Sequence, residues 1–298
     1  MLEKILLIVN PRAGRGKIKK KVPKMLENFE KQGHMTKVVY TSRESSLRKT
    51  IATYANEYEI IISCGGDGTL NEVVNEVMKL EVKPKLSFIP LGTTNDFANT
   101  LEMPTKELSL SENINSTKSV FCDIGSFNER YFNYIAAFGI FTQVAYETSQ
   151  NLKNMMGRLA YFLEGVKAIT KIKSYQIKVK TDNQIIEDEF IYGSITNATS
   201  VAGFKGIKAE EVSLDDGKFE VLLIKSPKNI IELNKIIAAL LKQNIKSEFI
   251  YYDKTANIEI QSEKKIAWTL DGEFGGKPKE VLIQNHEKAI EFIVPTKN

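Results

Sequence analysis

Four short, nearly unbroken apolar runs, at residues 4–9, 37–40, 59–63 and 86–89, are separated by segments with helical spacing at 18–32, 45–56 and 70–80. A strand that is apolar on both faces must be covered on both. Strands joined through helices run parallel. This part of the chain is therefore restricted to a mostly parallel sheet with helices on either side. In the first helical segment Val22, Met25, Leu26 and Phe29 fall on one face, and Gly33 supplies the stop.

The pattern changes near Ile124-Gly125-Ser126. Beyond it, residues 130–138, 175–180, 185–195, 219–225, 257–262, 281–284 and 289–294 read as strands, interrupted by helices at about 157–171 and 229–243. Ser194 through Thr199 and the glycines at 203 and 206 read as strand ends and loops. The expected organisation is an α/β domain over residues 1–125 and a β-rich domain, built as a sandwich, over 126–285. Neither a repeat nor a low-complexity linker separates them.

Composition narrows the function classes. The chain has 298 residues, 42% of them apolar, and a net charge of +4, which gives no argument for nucleic acid. Lys17, Lys19, Lys20, Lys21 and Lys24 cluster, either as a solvated helix face or as an attraction for anionic lipid or nucleotide. Cys64 and Cys122 lie beside apolar runs, which suits buried free thiols and a cytoplasmic setting. His34 and His286 have no ligand or triad spacing. No run approaches the roughly 18 apolar residues of a spanning helix, and Met1 through Val9 is too short for a signal peptide.

The chemistry is concentrated in loops that follow the parallel strands, at the edge where open α/β sheets bind ligands. They are Asn10-Pro11-Arg12-Ala13-Gly14-Arg15-Gly16, Gly65-Gly66-Asp67-Gly68-Thr69-Leu70-Asn71-Glu72, and Leu91-Gly92-Thr93-Thr94-Asn95-Asp96-Phe97. Glycines let a backbone approach phosphate closely, and the following helix aims its amides and dipole at it. Asp67 would repel a phosphate directly but suits a site where Mg²⁺ lies between them. Asp96 arrives by the same geometry, and Asp123 can complete the carboxylate cluster. Each loop alone also reads as an ordinary turn or cap; three in one sheet argue otherwise. Neither a Walker A loop nor the protein-kinase signatures are present.

The octet Gly65–Glu72, with Asn10-Pro11-x-x-Gly14, Gly92-Thr93-Thr94-Asn95-Asp96-Phe97-Ala98 and Asp271-Gly272-Glu273, resembles the diacylglycerol kinase catalytic domain, above all its soluble bacterial branch, related to sphingosine and ceramide kinases. The resemblance spans essentially the whole chain. Gly-Gly-Asp-Gly-Thr alone is shared with NAD kinases and phosphofructokinases. The resemblance implies a Rossmann-like domain and a β-sandwich domain with the active site in the cleft between them, and residues of about 286–298 returning to the first domain. By the same resemblance Asn10, Pro11, Arg12, Ala13, Gly14, Thr41, Gly65, Gly66, Asp67, Gly68, Thr69, Leu70, Asn71 and Thr93 hold ATP. Asp67, Asp96 and Asp123 organise the catalytic Mg²⁺, and Asp271 or Glu273 supplies the general base. Ser213, Asp216 and Lys218 hold a second, structural Mg²⁺, Ser213 and Lys218 through backbone carbonyls. That loop also reads as an Asp-Gly β-turn.

The expected reaction is transfer of the γ-phosphoryl group of ATP to a lipid hydroxyl, with diacylglycerol becoming phosphatidic acid. It would serve lipid metabolism and phospholipid biosynthesis in a cytoplasmic protein that touches the membrane peripherally. A small-molecule kinase of the NAD kinase kind and a non-catalytic nucleotide-binding regulator stand as alternatives. The regulator would predict a damaged acidic set, and the set is complete. Tyr131, Phe132, Tyr134, Phe138, Phe141, Tyr146, Tyr161 and Phe162 read either as an acyl channel or as ordinary core. Oligomeric state is not legible, and a homodimer is kept open.

Overall fold

The computed structural model describes residues 3–41, 44–92, 95–104, 106, 108–140, 159–160, 163, 172–197, 213–242 and 244–296. By contact density the chain divides into two compact units, Met1–Cys122 with Lys288–Asn298, and Asp123–Glu287. The described elements are β1 (Lys4–Val9), α1 (Ile18–Lys31), β2 (Met35–Tyr40), α2 (Glu44–Tyr54), β3 (Ile60–Gly65), α3 (Asp67–Val77), β4 (Lys85–Pro90), α4 (Asp96–Thr100) and α5 (Ser109–Glu112). They continue with β5 (Thr117–Phe127), β6 (Arg130–Phe132), β7 (Ile135–Gly139), β8 (Tyr175–Thr181), β9 (Ile185–Thr196), β10 (Phe219–Lys225) and α6 (Ile230–Leu241). The last are β11 (Ile250–Thr255), β12 (Asn257–Ser262), β13 (Trp268–Leu270), β14 (Glu273–Gly276) and β15 (Glu280–Pro295).

In the first unit the strands lie in the order β4–β3–β1–β2, all parallel. The C-terminal end of β15 joins beside β4, also parallel, with Phe292 opposite Leu86. Ile5 to Val9 and Ile60 to Gly65 are buried without a break, as strands covered on both faces must be. Helix α1 lays Ile18, Val22, Met25 and Phe29 on the sheet at helical spacing. It ends in a Schellman motif. Gly33 takes φ +87°, its N–H donates to the Glu30 carbonyl, and the His34 N–H donates to the Phe29 carbonyl.

The second unit is antiparallel. Its strands run β14–β13–β7–β9–β8–β12–β15, with β10 added to β9 and β11 to β10. Strand β8 alternates buried and exposed residues, as a half-covered antiparallel strand does. One core gathers Phe127, Phe132, Phe138 and Trp268, with Phe138 and Trp268 ring centroids 4.8 Å apart. A second joins α6 to Leu222 and Ile224 of β10. Phe132 and Phe138 are thus core residues. Phe141, Tyr146, Tyr161, Phe162, Ala198, Thr199 and the glycines at 203 and 206 lie outside the described residues, as does most of the helix expected at 157–171.

Two sequence expectations change in detail. Residues 281–284 and 289–294 belong to one strand, β15. The run 130–138 is two strands, β6 and β7. The apolar run 266–270 ends in β13, and strands β5, β11 and β14 are additional, each short or half exposed and so weak in apolar pattern. No helix among the described residues is long and apolar enough to cross a membrane.

Candidate functional site

The parallel order brings the carboxyl ends of β1, β3 and β4 to one edge of the first unit, and the three glycine-bearing loops meet there. The Asn10 N–H donates to the Cys64 carbonyl at 3.0 Å, the Gly14 N–H to the Leu91 carbonyl at 3.2 Å, and the Leu91 N–H to the Gly65 carbonyl at 2.7 Å. The Asn10 amide donates to Thr69 Oγ1 at 3.1 Å and its Oδ1 accepts the Arg12 N–H at 3.0 Å. The packing demands glycine. A Cβ on Gly65 would lie 2.5 Å from the Thr69 side chain, and one on Gly92 would lie 2.9 Å from Gly66 Cα.

Helix α3 starts at Asp67 with no side-chain cap; its first intrahelical donor is Leu70, to the Gly66 carbonyl at 3.1 Å. The amides of Asp67, Gly68 and Thr69 precede that bond, which is the arrangement that binds anions at a helix start. Leu70 is fully buried and anchors the helix, and Asn71 Oδ1 accepts from Asn75 at 3.0 Å. Thr41 closes the end of β2, its N–H donating to the Val9 carbonyl at 2.9 Å. Pro11 and Ala13 are half-buried in the first loop. Thr93 lies outside the described residues.

Asp67 and Asp96 are brought together. The Asp96 N–H donates to Asp67 Oδ2 at 3.3 Å, and Asn95, at φ +51°, turns the chain while its Oδ1 accepts the Gly92 N–H at 2.8 Å. Burial pushes the Asp96 carboxyl up to about 6, and the neighbouring Asp67 charge adds to the rise. Two carboxylates that repel in a half-buried loop, beside the amide-bearing start of α3, form a hard oxygen donor set that a divalent cation would relieve. The residues present therefore fit Mg²⁺.

The remaining candidates belong to the second unit. Asp123 is fully buried; its Oδ2 accepts the Gly217 N–H at 2.7 Å and its own N–H donates to the Leu214 carbonyl at 2.7 Å. It thereby holds the loop that carries Ser213, Asp216 and Lys218. Asp216 Oδ1 accepts the Lys218 N–H at 3.0 Å, and its other oxygen lies 3.8 Å from Lys254 Nζ. Among the described residues no three His, Cys, Asp or Glu side chains are grouped to share a metal. A cation here would rest on Asp216 and backbone carbonyls, a set that suits Mg²⁺ with water in its remaining positions.

Asp271 and Glu273 differ sharply. Asp271 is 4% exposed and sits at φ +49°. Its carboxylate accepts three successive backbone N–H groups, from Asn133 at 2.7 Å, Tyr134 at 3.0 Å and Ile135 at 3.1 Å. Glu273, at the start of β14, is exposed. Asn197, which sequence reasoning treated only as a strand end, links the two regions. Its amide donates to the Asp123 carbonyl at 2.7 Å and its N–H to the Tyr134 carbonyl at 3.0 Å. No local pattern marks Asn197, because its partners are 63 and 74 positions away.

Residues 4–127 match the family model described as the diacylglycerol kinase catalytic domain. A Staphylococcus haemolyticus protein named diacylglycerol kinase is 34% identical over 292 residues, covering 97% of this chain and 87% of that one. Its Staphylococcus carnosus namesake is 33% identical over 298 residues, covering 99% and 96%. A Bacillus anthracis crystal structure, provisionally assigned as a diacylglycerol kinase, superposes with a TM-score of 0.79 at 25% identity, covering 98% of this chain and 97% of that one.

Proposed function

This chain belongs to the diacylglycerol kinase catalytic-domain family, and on that premise we propose that it transfers the γ-phosphoryl group of ATP to the free hydroxyl of diacylglycerol, giving phosphatidic acid. It is an ATP-dependent lipid kinase. The observation that carries the proposal is the convergence of three glycine-bearing loops on the uncapped start of α3, with Asp67 and Asp96 beside it.

Phosphoryl transfer needs positioning and charge neutralisation more than covalent help. The amides of Asp67, Gly68 and Thr69 bind phosphate oxygens, and Asn10 fixes the Thr69 hydroxyl that flanks them. Asp67 and Asp96 would hold Mg²⁺, which when bound neutralises charge on the phosphates. Asp123 orders the loop of Ser213, Asp216 and Lys218, where a second Mg²⁺ would be structural.

The acceptor hydroxyl must lose a proton as its oxygen bonds to phosphorus. Glu273 is the carboxylate available to take that proton, because it is exposed. Asp271 spends its oxygens on three backbone amides and holds the turn that precedes Glu273. We assign Glu273 as general base and Asp271 as its positioning residue. A lipid acceptor requires contact with a membrane surface.

The test is ATP consumption with purified protein against neutral lipids in mixed micelles, NAD included. Phosphatidic acid formation from diacylglycerol is expected, with a rate that follows the surface fraction of lipid more than its bulk concentration. Phosphorylation of NAD with no lipid product would overturn the acceptor assignment.

A further inference from the structure

Helix α6 has two dissimilar faces. Leu233, Ile236, Ile237 and Leu240 are buried in the core shared with β10. The opposite face carries Ile231, Asn234, Lys235, Ala238, Leu241 and Lys242, all exposed and spaced so that they form one stripe. Ile230 is 57% exposed, Ile231 66% and Leu241 47%. Among the described residues these are three of the ten large apolar side chains left so exposed, on one twelve-residue helix. Single exposed apolar residues need no explanation; three at the two ends of one short helix do.

The charge around the stripe is one-sided. Residues 225–248 carry five lysines against Glu232 and Glu248; Lys225 is paired with Asp188 at 2.9 Å, which leaves a net charge of +2. Glu232 is engaged in a capping box, its N–H donating to Asn229 Oδ1 at 2.9 Å and its carboxylate accepting the Lys228 N–H at 2.7 Å. Lys235 lies 3.7 Å from Glu248 in an exposed, weak pair. A helix with aliphatic residues at its outer edge and lysines beside them suits the boundary between acyl chains and anionic headgroups.

We propose that the outer face of α6 docks this protein on an anionic lipid bilayer. The proposal rests on the lipid-kinase reading, since a membrane-dissolved acceptor must be reached at the membrane surface. A second copy of the chain suits the face poorly, because a twofold contact would set its lysines against one another. Helix α1 also carries lysines, but its exposed residues are polar, charged or proline, so it offers charge without an aliphatic edge.

The full chain should co-sediment with phosphatidylcholine vesicles containing phosphatidylglycerol, and far less with phosphatidylcholine alone. Ile230→Ser with Ile231→Ser should weaken that binding roughly tenfold. Lys235→Gln with Lys242→Gln should weaken it about fivefold per lysine, on anionic vesicles only. Both variants should keep the parent melting temperature and the parent turnover of a short-chain, monomerically dissolved diacylglycerol. Parent-like vesicle binding by the charge variant and the folded isoleucine variant would overturn the proposal. So would a change of oligomeric state with vesicle binding intact, which would make the face a contact between copies. A parent that binds vesicles through α6 yet turns over no diacylglycerol would support the docking face and refute the acceptor assignment instead.

Discussion

Asp67 can be changed without disturbing its backbone contact, because asparagine keeps an oxygen to accept the Asp96 N–H. What Asp67→Asn removes is charge. Turnover should fall by at least about 100-fold, on the order of 3 kcal/mol of transition-state stabilisation, with an unchanged melting temperature. A folded Asp67→Asn protein with near-parent turnover would remove the phosphate-loop assignment. Asp271 and Glu273 should separate in the same way. Glu273→Gln should lower kcat by about 10²–10⁴-fold while sparing ATP affinity and stability. Asp271→Asn sets an amide donor against buried backbone N–H groups and should cost about 1–3 kcal/mol of stability. A stable, inactive Asp271→Asn beside a fully active Glu273→Gln would exchange the two roles. The sequence alone showed these residue types in a motif but could not separate the two carboxylates. Burial and three amide donors from residues 133–135 separate them, and those contacts reach across 136 to 138 positions.

The elements that were plain in the sequence are those with one strong period. β1, β3 and β4 are apolar on both faces, and α1 and α6 repeat at helical spacing, so their class follows from local pattern. The sequence pattern breaks β15 into two strands because Gln284 to Lys288 is polar, yet pairing with β12 and then β4 carries the strand through, past Lys288 at φ +48°. β14 is too short for any period, and its pairing with the buried β13 defines it. The loop from Ser213 to Lys218 shows the same dependence on distant contacts, since Asp123 holds it from 94 positions away. If that loop carries Mg²⁺ on Asp216, then Asp216→Ala should lower both activity and melting temperature. Chelator should reproduce the stability loss in the parent but leave the variant unmoved. Equal chelator sensitivity in the two proteins would reduce Asp216 to a turn residue that caps Lys218.

For the molecule as a whole, a net charge of +4 is too small to govern stability by self-repulsion, so pH dependence falls to individual displaced groups. Glu220 of β10 is 2% exposed. Burial pushes its carboxyl up to about 7, Lys254 at 3.3 Å opposes the rise, and the Asp216 charge adds to it. A raised carboxyl pKa means that the folded state binds a proton more tightly than the unfolded chain. Its stabilising contribution is complete below the ordinary value of 4.5 and is lost as pH rises through about 7. Within that window the loss is about 1.4 kcal/mol per pH unit. Asp96 acts in the same direction but is finished by about 6. Melting temperature, measured in chelator so that no cation contributes, should therefore fall between pH 5 and 7 and level off above it. Glutamine mimics the protonated carboxyl, so Glu220→Gln should match the parent at pH 5 and exceed it at pH 8, with the decline between pH 6 and 7 gone. Parallel curves for the two proteins across that window would mean that Glu220 is already ionised in the folded state, with Lys254 outweighing its burial.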